Sequence, residues 1–283
     1  MSDNPLEQFY RTKEIYITLP TGGEYFTEKP EFTADGEIGI MPMNLKDETL
    51  LKIPDTLFNG EALYNIIKSV APDIKDPYEI TIPDLDVILL ATRSATYSGI
   101  MPIAASCPHC GKQSEYEVDL ETLLSQITKV SGDKEIQIGD LLVRVKPNTV
   151  KVVTAMGISQ IKSQQLAMEI NRNNEKKDVT PELREVFDNS LNEIAACDLA
   201  IVSDGIEFVK LPGDIIVNDF EHILAWLTNS NSGTISKIRK FANEQNKNGL
   251  PKSVNLQCRD DDECGKTFDT LLDLNPTFFF TDK

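Results

Sequence analysis

The chain has 283 residues, with 28 lysines and arginines against 45 aspartates and glutamates, which gives a formal net charge of −17. This excess of negative charge repels nucleic-acid phosphates and anionic membrane surfaces, and it favours basic protein partners. The sequence contains no apolar run of about 18 residues and no charged-then-apolar leader, so we expect neither a membrane span nor a secretory signal. Five cysteines in this setting indicate metal binding in a reducing compartment rather than a disulfide framework.

The first 99 residues are expected to form a mixed α/β block. Alternating and β-branched residues predict two strands, over residues 14–19 and 36–42, that pair as a hairpin or a small sheet. Apolar stripes and capping residues predict helices. The helices are expected over residues 47–51, 62–70 and 81–94.

An extended segment over residues 100–105 leads into the sequence Cys107-Pro108-His109-Cys110-Gly111. A C-x2-C turn closed by glycine is typical of a zinc knuckle, because both thiolates fall on one side of the turn. The chain then returns as a predicted strand over residues 115–118. A short helix over 120–127 and a hairpin over 135–145, turning at Gly139-Asp140, are expected next.

The middle of the chain is predicted to be mostly helical. One long helix carries the stripe Val150, Val153, Ile161 and Met168, and a second carries Leu183, Phe187, Leu191 and Ile194. The polar residues 171–179 between them predict an exposed turn. A hairpin is expected around Ser203-Asp204-Gly205, with strands at 201–202 and 206–209. Two further helices are expected, one capped by Asn218-Asp219 with Phe220, Ile223, Leu224 and Leu227 inside, and one starting at Ser232.

A second cysteine pair near the C-terminal end repeats the first. Cys258 and Cys264 form C-x5-C, and Cys264-Gly265-Lys266 repeats Cys110-Gly111-Lys112. A predicted strand over 254–256 enters this pair, and a return strand begins at Phe268. A closed structural zinc site needs four ligands. We therefore predict that Cys107, Cys110, Cys258 and Cys264 bind one structural zinc ion. Because C-x5-C is looser than the usual spacing, thiols packed without metal remain the alternative.

The remaining reactive side chains favour structural roles. His109 is predicted to be a solvent-facing spacer, His222 an ordinary surface or half-buried histidine, and Cys197 a buried, inert thiol. Neither histidine lies beside an evident nucleophile, so we expect the protein not to be an enzyme. Residues Asp260–Glu263 predict a solvated loop, with a bound cation or a basic partner as the alternative. Phe278–Phe280 are expected either in the protein's own core or against a neighbouring protein.

These elements predict an α+β fold in which two zinc-knuckle half-sites close on one zinc ion. The first segment, residues 1–99, is the mixed α/β block. Residues 100–146 form the first knuckle unit with its hairpin, and residues 147–252 form a mainly helical insertion. Residues 253–283 form the second knuckle unit and the C-terminal tail.

The order of features resembles the baseplate hub proteins of T4-like contractile-tailed phages. The resemblance covers the N-terminal part through the first knuckle, and the C-terminal half matches more loosely. It rests on several short stretches in sequence order: residues 15–22, 37–43 with 47–48, 53–55 with 59–63, 83–86, 89–93, 97–99, and the first knuckle with 117–120.

The resemblance implies a structural or assembly protein of the tail baseplate, assembled in the host cytoplasm and located in the virion. Such a protein works through contacts with hub, wedge, tail-tube or tape-measure proteins, and several copies in a symmetric assembly are possible. It implies no catalytic residues, because the family is not known for any.

Three other functions compete with this interpretation. The first is a tail-assembly chaperone that is absent from the mature virion. The second is a zinc-ribbon nucleic-acid-binding protein, against which the acidic charge and the lack of basic residues clustered beside the knuckles both argue. The third is a metal-dependent enzyme, although four thiolates leave no open coordination position on zinc.

Overall fold

The computed structural model describes residues 4–52, 60–130, 134–152, 154–155, 181–259 and 264–272. Helices and strands are mixed along the chain, which confirms the α+β class. The chain divides into two compact units, one of residues 1–57, 62–130 and 247–283 and the other of residues 58–61 and 131–246. The four-segment division of the sequence stays a prediction.

The first unit begins with a small antiparallel sheet and three helices, as predicted. Strands β1 (Ile15–Ile17) and β2 (Ile38–Ile40) pair in the register Ile15 to Ile40. Helix α1 starts after a capping box, in which Asn44 accepts hydrogen bonds from the first-turn backbone and Asp47 accepts from the backbone of Asn44. The helices are α1 (Leu45–Leu51), α2 (Glu61–Val70) and α3 (Ile82–Thr96).

Helix α3 is the buried centre of this unit. Every residue from Pro83 to Arg93 is buried, as expected for a helix that is apolar on nearly all sides. Asp84 is fully buried and accepts hydrogen bonds from the backbone N–H of Thr21 at 2.9 Å and from the hydroxyl of Thr81 at 2.9 Å. Burial raises the pKa of Asp84, although these hydrogen bonds oppose the change.

The first cysteine hairpin follows α3 directly. Strands β3 (Ile100–Ser106) and β4 (Gln113–Asp119) pair antiparallel over seven positions, from Ile100 with Asp119 to Ser106 with Gln113. Helix α4 (Leu120–Ser125) comes next, with Asp119 as its N-cap. The predicted strands and short helix are confirmed.

The second unit contains a four-stranded antiparallel sheet packed against helices. The strands are β5 (Glu135–Ile138), β6 (Leu141–Val145), β7 (Ile206–Lys210) and β8 (Ile216–Val217), in the sheet order β5-β6-β7-β8. The helices are α5 (Pro181–Asp204), α6 (Phe220–Thr228) and α7 (Ser232–Gln245). Their shared core consists of Val143, Val145, Val202, Ile206, Val209, Ile223, Leu227, Ile238 and Ala242.

The chain returns to the first unit for the second cysteine hairpin. Strands β9 (Ser253–Gln257) and β10 (Thr267–Leu271) pair antiparallel from Gln257 with Thr267 to Ser253 with Leu271. Both predicted strands are confirmed. Each cysteine pair therefore lies at the turn end of its own two-stranded hairpin.

A predicted strand with its hairpin, and the predicted burial of one side chain, are wrong in the second unit. Ile201-Val202 does not form a strand, because α5 continues through alanine-rich sequence to Asp204 and buries Val202 in the core. The hairpin partner of β7 is β8 instead, reached through a turn at Gly213-Asp214 in which both residues have positive φ. Phe220 was expected inside but is 44% exposed, since it begins α6 directly after the cap residue Asp219.

Some sequence predictions fall outside the described residues. These are Val153, Ile161 and Met168 of the long helix, the turn at 171–179, the side chains of Leu183, Phe187 and Leu191, the acidic loop Asp260–Glu263 and the tail Phe278–Phe280.

Candidate metal centre

The first knuckle is a tight turn closed by backbone hydrogen bonds. The N–H of Cys107 donates to the carbonyl of Lys112 at 2.9 Å, and the N–H of Gly111 donates to the carbonyl of Cys107 at 2.8 Å. Gly111 has a φ of 75°, a conformation that favours glycine. The turn therefore requires the glycine that follows Cys110.

The second knuckle closes in the same way across a longer loop. The N–H of Cys258 donates to the carbonyl of Lys266 at 2.9 Å, and Gly265 has a φ of 57°. The glycine and lysine therefore have the same positions relative to the closing hydrogen bond in both hairpins. The three extra residues between the second pair of cysteines leave this closure unchanged.

The two knuckles bring all four predicted cysteines together. Their sulfur atoms lie within 4.8 Å of one another. The Sγ atoms of Cys107 and Cys264 are 3.8 Å apart, and those of Cys110 and Cys258 are 3.6 Å apart. Four thiolates at the zinc–sulfur bond length form a tetrahedron whose edges are roughly 3.8 Å. All four are free thiols, and their separations far exceed the roughly 2.05 Å of a disulfide.

The cysteines differ in exposure and in the environment of their thiols. Cys107 and Cys258 are each 1% exposed, Cys264 is half-buried and Cys110 is exposed. Burial alone disfavours the Cys107 thiolate, but hydrogen bonds from the backbone of His109 and Cys110 and from neighbouring thiols lower its pKa to about 7. A thiolate is the form that binds metal, so this lowered pKa suits Cys107 to be a ligand.

Apolar side chains from the strands of both hairpins pack together next to the thiol cluster. Ala105 and Tyr116 of the first hairpin pack with Leu256 and Phe268 of the second, all of them buried. The rings of Tyr116 and Phe268 meet edge to face, with centroids 5.9 Å apart and planes at 80°. The guanidinium of Arg259 lies 5.4 Å from the Tyr116 ring centroid. The thiol cluster is therefore fixed by its own hydrophobic core.

The remaining candidate residues lie away from the cluster. His109 is exposed between two cysteines, as predicted for a spacer. The His222 side chain is 78% exposed on α6. Cys197 is half-buried rather than fully buried as predicted, because it lies on a part of α5 whose neighbouring residues are exposed or only partly buried. Within the described ranges, the four cysteines are the group of potential metal ligands that the fold assembles.

One residue that supports the site was missed at the sequence level. Lys252 immediately precedes β9, and its ammonium group pairs with the carboxylate of Asp86 in α3. Burial raises the pKa of Asp86, and the charge of Lys252 opposes that change. A carboxylate within a largely apolar helix was the available sequence signal, since such a group requires a partner when it is buried.

One comparison with known proteins gave a match, and it covers almost the whole chain. A family model described as T4 bacteriophage base plate protein matches residues 13–280. Searches of curated proteins and of solved structures gave no match. Across the described residues, no helix has the length and apolar character needed to cross a membrane.

Proposed function

We propose that this chain, which belongs to the T4 bacteriophage base plate protein family, is a hub-region component or assembly factor of a contractile phage tail. The family supports a structural role in the baseplate, and the match over residues 13–280 is the observation that carries the proposal. The protein acts through contacts with other baseplate proteins. Hub, wedge, tail-tube and tape-measure proteins are the candidate partners, and the virion tail is the proposed location.

Zinc acts in this proposal as a structural staple. Cys107, Cys110, Cys258 and Cys264 supply four thiolates at separations that suit a tetrahedral ion. The two pairs are about 150 residues apart in sequence, so one ion joins two distant chain segments and adds to the apolar packing between their hairpins. A closed set of four ligands has no position for water or substrate, which favours a structural role over a hydrolytic one.

Mass spectrometry of purified virions tests the proposed location. We expect peptides of this chain in wild-type particles and in isolated baseplates. If a disrupted gene stops baseplate formation while virions contain none of these peptides, the chain is an assembly chaperone and not a component.

Metal analysis of the purified protein tests the staple. We expect about one zinc per chain, and less than about half an equivalent would contradict a shared four-cysteine site. Nucleic-acid binding that weakens steeply with salt would instead favour a zinc-ribbon nucleic-acid-binding protein.

A further inference from the structure

The second unit contains an open apolar pocket between its sheet and helix α6. The pocket has a volume of about 290 Å³ and an almost entirely apolar lining. Leu141, Val209, Leu211 and Val217 line it from the sheet side, and His222, Ile223 and Trp226 line it from α6. This volume is at the lower limit of small-molecule sites, roughly 300–1,000 Å³, and suits an anchoring side chain.

Two exposed apolar side chains lie close in sequence to residues that line this pocket. Leu211 and Ile215 are joined by a backbone hydrogen bond of 2.8 Å, so Ile215 lies on the same sheet face as Val217. Ile215 is 60% exposed, and Phe220 at the start of α6 is 44% exposed. We call the pocket, together with these two exposed residues that are close to its lining in sequence, the α6 surface. Exposed apolar side chains near an apolar pocket favour an interaction site.

The edge of the sheet lies beside the same surface. Strand β8 is the last strand in the order β5-β6-β7-β8, and among the described residues no strand pairs with its outer edge. An extended segment of another protein can pair with such an edge while its side chains enter adjacent pockets. The geometry therefore favours an extended segment as the occupant.

Three exposed carboxylates lie next in sequence to residues of the α6 surface or its pocket, and one of them, Asp219, caps α6. Asp140, Asp219 and Glu221 are exposed and stand next in sequence to Leu141, Phe220 and His222 respectively. Asp214 in the adjoining turn is paired with Lys210 at 2.6 Å, so its charge is compensated. The remaining carboxylates favour a partner that carries basic residues beside its apolar anchor.

We propose that the α6 surface binds an extended segment of another protein, in which a large apolar side chain is flanked by lysine or arginine. The apolar side chain occupies the pocket, and the basic residues face Asp140, Asp219 and Glu221. The inference rests on the proposed function only in taking this partner to be a baseplate protein.

Selection from a random library of twelve-residue peptides on the full chain tests the proposal. We expect the enriched peptides to contain a large apolar residue beside lysine or arginine. Binding of a synthesised peptide should change the emission of Trp226, the single tryptophan of the sequence, in a saturable way. Failure to enrich peptides, or enrichment of acidic or wholly polar peptides, would overturn the proposal.

Matched variants locate the binding site. The double variant Ile215→Ser/Phe220→Ser should weaken peptide binding at least ten-fold. Ile216→Ser is the control, because Ile216 is 57% exposed on the opposite face of the same strand, and its effect should be below two-fold. Asp140→Asn with Glu221→Gln should weaken binding about three-fold and reduce its salt dependence. Equal binding by the double variant and its control would contradict the assignment.

Three further outcomes separate this inference from self-association of the chain and from the proposed function. Sedimentation that shows a dimer abolished by Ile215→Ser/Phe220→Ser would assign the α6 surface to a second copy of the chain and overturn the proposal. If no peptide binds but disruption of the gene still stops baseplate assembly, the surface assignment fails and the proposed function stands. If peptides bind but disruption leaves assembly intact, the proposed function fails and the surface assignment stands.

Discussion

The two cysteine hairpins have similar knuckle turns, but the side chains on the strands next to those turns differ. Both close with a hydrogen bond from a cysteine N–H to a lysine carbonyl, at 2.9 Å in each, and both place a glycine with positive φ just before that lysine. The first cysteine of each pair, Cys107 or Cys258, is 1% exposed. Ligand placement is therefore set by the closing bond and not by the number of residues between the cysteines.

Packing below the knuckles distinguishes the hairpins. We compare the second cross-strand residue pair below the knuckle in each hairpin. This pair is Ala105 with Ser114 in the first hairpin and Leu256 with Phe268 in the second. The aromatic Tyr116 of the first hairpin lies two positions further down. Small residues on one hairpin thus pack against large residues on the other, and the two aromatic rings are in edge-to-face contact. The ligand turns are repeated, whereas the core beneath them is complementary.

The largest expected effect comes from removing one cysteine of either pair, which tests whether both pairs bind the same ion. Cys107→Ser and Cys258→Ser should each abolish stoichiometric zinc binding and lower the free energy of unfolding by on the order of 5 kcal/mol, because each removes a buried ligand of the same ion. Metal analysis and urea unfolding measure both effects.

Cys197→Ser is the matched control for these variants. Cys197 is a half-buried thiol outside the cluster, so its substitution should leave the zinc content unchanged and alter stability by less than about 0.5 kcal/mol. A large loss from only one of the two ligand variants would show that the pairs do not share an ion.

The sequence predicted the elements of both hairpins and the four candidate ligands because these depend on short local patterns. Strand alternation, the glycine after each second cysteine and the repeated lysine are all visible within about ten residues. The pairing of Asp86 with Lys252 was not predicted, since the two residues are 166 positions apart and the apolar sequence around Asp86 indicates that a partner is needed but not which one.

The wrong strand at residues 201–202 and the missed strand β8 also depend on contacts that a short stretch of sequence does not show. Ile201-Val202 resembles a strand locally, but a long helix that buries Val202 overrides the local preference. The short strand β8 was missed because two residues provide too little alternation. Tertiary packing decided both elements.

The next effect concerns how each hairpin is held to α3. The first hairpin continues from α3 through the chain itself, whereas Lys252 joins the second hairpin to Asp86 of α3. Lys252→Met should lower the free energy of unfolding by about 1–2 kcal/mol at pH 7, because the carboxylate stays buried without its cation. The value is modest because the Lys252 side chain is 36% exposed and partly screened by water.

The pH dependence of this variant has a definite sign. The pKa of Asp86 is raised in the folded state by burial, and loss of Lys252 raises it further. A raised carboxyl pKa favours folding at low pH, and that contribution is lost as the pH rises through the folded-state value. The penalty of Lys252→Met should therefore shrink as the pH falls through the folded-state pKa of Asp86, measured by urea unfolding over a pH series. A penalty that stays constant across the whole acid range would contradict the ion pair, and Asp86→Asn/Lys252→Met should cost less than Lys252→Met alone.

A smaller effect tests whether the two turns are conformationally equivalent. Gly111→Ala and Gly265→Ala should each lower the free energy of unfolding by about 1 kcal/mol, because alanine is strained at the positive φ that both positions adopt. Gly99→Ala is the control, since an added Cβ there meets the Glu121 side chain at an ordinary 3.7 Å and φ lies outside the left-handed region. If only Gly111→Ala is costly in thermal unfolding, the two closures are not equivalent.

The smallest expected effect comes from the hydroxyl group that distinguishes Tyr116 from Phe268, the two rings in edge-to-face contact. Tyr116 and Phe268 are almost equally buried, but the Tyr116 hydroxyl has no hydrogen-bond partner among the described residues. A buried hydroxyl without a partner loses its hydrogen bonds to water and forms no hydrogen bond in the protein to replace them. Tyr116→Phe should therefore raise the free energy of unfolding by up to about 1 kcal/mol, and the reciprocal Phe268→Tyr should lower it by a similar amount. Urea unfolding of the zinc-loaded protein measures both, and a loss of stability in Tyr116→Phe would show that the hydroxyl is hydrogen-bonded in solution.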